Sequence, residues 1–147
     1  MNMSRAATFE LSLTRRIRAP RERVYAAFVE PELMKRWMSP HGMTTAEASA
    51  DARVGGKLRI VIESTDARFV AYGEYRDLVP PERIVYTWNW EGAHAMPSET
   101  IITVTLTERD GVTEVRMHHT GFVDEAIRND HANGWAGCYD KLVEAFA

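Results

Sequence analysis

Residues 124–146 read DEAIRNDHANGWAGCYDKLVEAF, and Ile127, His131, Trp135, Cys138, Leu142 and Phe146 recur within them at spacings of three and four. That period puts them on one stripe of an α-helix. No proline interrupts the segment, so the spacing predicts one long amphipathic helix that needs an apolar surface to lie on. Gly134 and Gly137 sit in its middle, where each costs about 1 kcal/mol relative to alanine. Something must offset that cost. Close approach to another backbone is expected for Gly134, while Gly137 is open to packing or to making room for a ligand beside Trp135.

The surface for this helix is supplied upstream. From Thr8 to Ile17, Phe9, Leu11, Leu13 and Ile17 alternate with Glu10, Ser12, Thr14 and Arg16, the period-two pattern of a half-buried strand. Pro20 then opens a helical stretch carrying Val24, Ala27, Phe28, Leu33, Met34 and Trp37. Pro31 divides it into two short helices, which end by Ser39-Pro40. Strand patterns follow at Thr44–Ser49, Lys57–Ser64, Phe69–Leu78, Arg83–Trp90, Ser98–Glu108 and Val112–Thr120. Gly55-Gly56 and Pro80-Pro81 supply turns, and Asp110-Gly111 favours a tight hairpin. The expected architecture is α+β: a curved antiparallel sheet wrapped around a long C-terminal helix, with two short helices after the first strand.

Composition limits the function. The 147 residues suit a single domain over 1–147, with residues 1–7 expected to be a flexible N-terminus, and a chain of this length buries roughly two-thirds of its unfolded surface. The 18 basic and 21 acidic residues are mixed along the chain, leaving no electrostatic footprint for nucleic acid. Charged residues break every apolar run, so no membrane insertion is expected. The lone Cys138 excludes an internal disulfide, and without an apolar leader the expected compartment is the cytoplasm.

Several short segments recur in a set order: Ile17-Arg18-Ala19-Pro20 with Glu22, Val24 and Phe28; Pro31-Glu32, Trp37, Pro40 and Gly42; and Gly55-Gly56 and Gly73-Glu74-Tyr75. Pro80-Pro81-Glu82-Arg83-Ile84-Val85, Thr87-Trp88, Thr113, His119, Gly121 and the His131–Trp135 run continue it. In that order they resemble the bacterial relatives of the heat-shock-protein ATPase activator, within the START-like (SRPBCC) superfamily that also holds polyketide cyclases and the birch-pollen allergen. The resemblance implies a helix-grip fold with a cavity between the curved sheet and the C-terminal helix. Related folds bind lipids, plant hormones, polyketides or protein partners, so activity must be argued from the site.

Tyr86, Trp88 and Trp90 alternate along one strand and share a face. Trp88 and Trp90 are therefore either a ligand wall or core. Thr113, Val115, Met117 and His119 face inward on the last strand, and His131 lies one helical turn before Trp135. The two inward histidines could form a proton-transfer element, or could simply be hydrogen-bonded at the pocket rim. No His-Glu-x-x-His segment or carboxylate at ligand spacing supports a metal, and no cofactor is expected. No Gly-x-Ser-x-Gly elbow occurs, and Cys138 reads as a buried structural residue. The Glu91–Pro97 connection, with His94 and Met96, can act as a lid. Met38 and Met43, near His41, border the same opening in the arrangement the resemblance implies, or are surface loop residues.

The expected function is binding of a small hydrophobic or aromatic molecule by Trp37, Tyr75, Trp88, Trp90, Val104, Met117, His119, His131, Trp135 and Tyr139. One alternative is a cyclase-like enzyme with His119 or His131 as base; another is a chaperone-interacting module. Exposed sheet edges leave a homodimer open.

Overall fold

A computed structural model describes residues 8–147, so the expectation of a flexible N-terminus lies outside the described residues. The alternating segment forms β1 (Phe9–Ile17), and α1 (Arg21–Ala26) and α2 (Pro31–Met34) follow. Pro20 is the N-cap of α1 and Pro31 opens α2, the positions where a missing backbone N–H costs least. The remaining strands are β2 (Thr44–Ala50), β3 (Lys57–Glu63), β4 (Arg68–Val79), β5 (Arg83–Trp90), β6 (Thr100–Arg109) and β7 (Val112–Phe122). The chain ends in α3 (Glu125–Ala145).

All seven strands form one antiparallel sheet in the order β1-β7-β6-β5-β4-β3-β2. β1 crosses to pair with β7, which leaves β2 at the far edge. Asp110 and Gly111 both have positive φ, 53° and 76°, which matches the right-handed strand twist and fixes the β6–β7 register with Arg109 opposite Val112. At Gly73 an added Cβ would lie 1.9 Å from the Thr87 carbonyl oxygen. Glycine therefore lets β4 press against β5 near the irregularity between Tyr75 and Asp77.

Asp124 caps α3, its Oδ1 accepting from the N–H groups of Ala126 (2.8 Å) and Ile127 (3.2 Å), a contribution of about 1 kcal/mol. The helix buries Trp135, Cys138, Tyr139 and Leu142 against the inner sheet face, where Ile60, Ile84, Tyr86, Ile102, Val104, Val115 and Met117 are also buried. Phe28 and Trp37 close this core from the side of α1 and α2. Their ring centroids are 4.8 Å apart, and Trp37 meets Tyr139 at 5.3 Å.

Candidate functional site

Near the β3–β5 part of the sheet the helix and the inner face separate, leaving a cavity of about 540 Å3. Ile62, Phe69, Trp88 and Trp90 form its sheet wall, and Ile127, His131, Gly134, Trp135 and Cys138 its helix wall. Met38, Pro40 and Met43 border one side and the Ala93–Met96 turn another. The volume lies within the roughly 300–1,000 Å3 of small-molecule sites.

Of the residues singled out from the sequence, Trp88, Trp90, His131 and Trp135 border this space. Trp37, Tyr75, Val104, Met117, His119 and Tyr139 do not; they lie in the core behind the wall. Trp37 donates from Nε1 to the Ala27 carbonyl (2.9 Å), and the Tyr75 hydroxyl donates to the Phe28 carbonyl (2.9 Å). Burial raises the Tyr75 hydroxyl above the ordinary tyrosine range, so it stays protonated and anchors the end of α1.

The histidines are joined to the tryptophans. Trp135 Nε1–H donates to His119 Nδ1 at 3.1 Å, which puts the His119 hydrogen on Nε2, 2.7 Å from Thr100 Oγ1. The Thr100 hydroxyl passes its own hydrogen to the Trp88 carbonyl (2.7 Å). Trp90 Nε1–H donates to His131 Nε2 (2.9 Å), and His131 Nδ1–H donates to the Ile127 carbonyl (2.8 Å). Burial, reinforced by the nearby His131 and His118, pushes the His119 pKa down to about 2. Burial also lowers that of His131, partly offset by its bond to the Ile127 carbonyl and by Asp130. Both rings are neutral near pH 7, and each lone pair already accepts an indole hydrogen. In this geometry neither has a free lone pair to take a proton from a substrate.

Trp88 Nε1 and the hydroxyls of Tyr86 and Tyr139 are buried without an acceptor or donor among the described residues. The Trp88 ring is enclosed by Trp135 (centroids 4.9 Å) and Trp90 (5.6 Å). Burial pushes the Cys138 thiol up to about 12, far from the range of a reactive thiolate. Among the described residues no group of three or more His, Cys, Asp or Glu side chains is arranged to hold a metal ion.

Polar residues that sequence patterns did not single out shape the opening. Lys141 Nζ donates to Ser39 Oγ (2.9 Å), the Pro40 carbonyl (3.0 Å) and the Met43 carbonyl (2.8 Å), fastening the 39–43 loop to α3. Asn89, buried on β5, accepts from the Met96 and Trp90 amides through Oδ1 (both 2.8 Å) and donates to the Met96 carbonyl (3.3 Å). It therefore holds the turn after β5 over the cavity. The structure reverses the packing role expected of Gly134 and decides the role left open for Gly137. An added Cβ at Gly137 would lie 2.8 Å from the His41 nitrogen and 3.3 Å from Pro40 Cα, whereas at Gly134 it would meet nothing within 4 Å. Gly137 is the close-packing position, and Gly134 opens onto the cavity.

The family described as "Activator of Hsp90 ATPase homolog 1-like protein" matches residues 18–147. The human "Activator of 90 kDa heat shock protein ATPase homolog 1" is 29% identical over 125 residues, covering 84% of this chain but only 32% of the human protein. The chain thus spans about a third of that relative's length. The crystal structure of protein CV1439 from Chromobacterium violaceum is similar with a TM-score of 0.82 and 29% identity, over 93% of this chain and 96% of the other. The AHSA1 protein from Silicibacter pomeroyi gives a TM-score of 0.80 at 20% identity, also over 93% and 96%; at that identity the likeness shows the fold. No helix among the described residues is long and apolar enough to cross a membrane.

Proposed function

The chain belongs to the Activator of Hsp90 ATPase homolog 1-like family, and from that premise we propose that it binds a small ring-bearing or otherwise hydrophobic molecule between the sheet and α3. The observation that carries this reading is the 540 Å3 cavity, walled by Trp88, Trp90, Trp135 and Phe69 and bordered by Met38, Met43 and Met96. Rigid aromatic surface and adaptable thioethers suit an apolar guest. A cyclase-like role has less support, because the lone pairs of His119 and His131 are both engaged by indole donors. A chaperone-directed role draws on the name of the human relative. Among the described residues the large exposed apolar side chains are Val54, Tyr72 on β4, Ile101 on β6 and Val123, and β5 separates the two strands, so it has less surface support.

The test is binding of 2-naphthalenemethanol, followed by the change in tryptophan fluorescence and by calorimetry. A saturable signal is expected in the parent protein. Gly134→Leu, which directs a side chain into the cavity, should abolish it without unfolding the protein. Absence of binding, or equal binding by the Leu variant, overturns the reading.

A further inference from the structure

The cavity has a polarity gradient. Its inner end is made by Met38, Trp88, Trp135 and Cys138, all buried. Its outer end is bordered by the exposed turn carrying His94 and by Asp130, exposed on α3. Among the described residues no lysine or arginine lines it. The cations beside the lining residues are engaged elsewhere: Lys141 gives its ammonium hydrogens to Ser39 Oγ and the Pro40 and Met43 carbonyls, and Arg68 pairs with Glu63 (3.4 Å). Arg128 donates to the Glu10 carbonyl (2.9 Å), stands over the Phe9 ring (5.7 Å) and pairs with Glu125 (3.5 Å), which turns it toward β1. Arg59 is paired with Glu91 (3.1 Å). Asp130 makes no ion pair among the described residues, so it is an unpaired carboxylate among the residues that line the cavity.

An anionic guest would place its carboxylate either against Asp130 or inside an apolar chamber with no cation to receive it, and both are unfavourable. A cation reverses each term. It meets Asp130 at the mouth and the electron-rich rings of Trp90 and Phe69 behind it, and a quaternary ammonium is weakly hydrated enough to approach them. We propose, on the basis of the binding reading above, that the cavity selects lipophilic cations: the ring system enters first among Trp88, Trp135 and Met38, and an ammonium group stays at the mouth beside Asp130.

The experiment compares three probes sharing one ring: (naphthalen-2-ylmethyl)trimethylammonium, 2-naphthalenemethanol and 2-naphthylacetate, titrated at low and high salt. The ammonium should bind about tenfold tighter than the alcohol, and the acetate about tenfold weaker than it. Salt should weaken the ammonium and leave the alcohol unaffected. Asp130→Asn should reduce the ammonium-to-alcohol ratio by about threefold or more, and Asp130→Lys should bring the acetate ahead of the ammonium. If the acetate binds the parent as tightly as the ammonium, or if Asp130→Asn leaves the ratio unchanged, charge selection is wrong while the binding site stands. If none of the three probes binds, the binding reading falls with it.

Discussion

Replacing His119 by glutamine should remove a defined part of the protein's acid sensitivity. His119 is fully buried, and its pKa falls from the ordinary 6.5 to about 2 in the folded protein. A base whose folded pKa lies below its unfolded one contributes stability that is fully present above the unfolded value and lost as pH falls toward the folded value. The window for His119 therefore runs from about pH 6.5 down to about 2. Between pH 7 and pH 5 the unfolded chain takes up a proton that the folded one refuses, which costs about 2 kcal/mol. His131, lowered in the same direction, adds to the total. Urea unfolding of the parent and of His119→Gln at pH 7 and pH 5 should give a pH-dependent loss about 2 kcal/mol smaller in the variant. The variant itself should be weaker at pH 7 by about 1–3 kcal/mol, because Trp135 and Thr100 lose their shared partner. Proton NMR gives a second readout: the His119 ring signals of the folded parent should not titrate between pH 7 and pH 5. Parallel stability losses in the two proteins, or a ring titrating near 6.5, would refute the reasoning.

Lys141→Met should cost about 1–3 kcal/mol, and amide exchange in residues 39–43 should accelerate while exchange in the β6–β7 hairpin does not. Gly137→Ala should displace the His41 backbone and destabilise by about 1–3 kcal/mol, whereas Gly134→Ala should stabilise by about 0.5–1 kcal/mol; equal effects in thermal unfolding would contradict the assignment of the two glycines. Gly73→Ala, with its Cβ driven toward the Thr87 carbonyl, should lower the melting temperature more than Gly134→Ala changes it in either direction, and calorimetry decides the comparison.

The fold was legible because its signals are local. Alternation in Phe9–Ile17, the Asp110-Gly111 turn and the three-four spacing of Ile127 to Phe146 each depend on neighbours within a few residues. The inward faces of β5 and β7 followed from the same alternation. Depth did not follow. Trp37 and Tyr139 share the inward side with Trp135, but Phe28 packs against them, and the 540 Å3 space opens instead among Ile62, Phe69, Trp88 and Trp90. Alternation says which side a residue faces, not how far the opposing layer stands from it. Lys141 and Asn89 were missed because their partners are set by loop paths rather than by spacing. Gly134 was expected to pack and Gly137 stayed open because three helical positions turn a residue by about 300°, and only the docked loop shows which of them it meets.

The hydrogen-bond chain from Trp135 through His119 and Thr100 to the Trp88 carbonyl ties α3 to β7, β6 and β5 in one line. The Trp135–His119 link is directional, so a helix sliding along the sheet would keep much of its oily contact but leave the Trp135 indole N–H without its acceptor, and would break the Trp90–His131 bond as well. The borders of the cavity that these links leave unfixed are the 39–43 loop, tied to α3 by Lys141 and by the His41–Asp140 contact, and the turn after β5, held by Asn89. Under the binding proposed above, substitutions that change the size of guest admitted should fall in these two segments rather than in the helix.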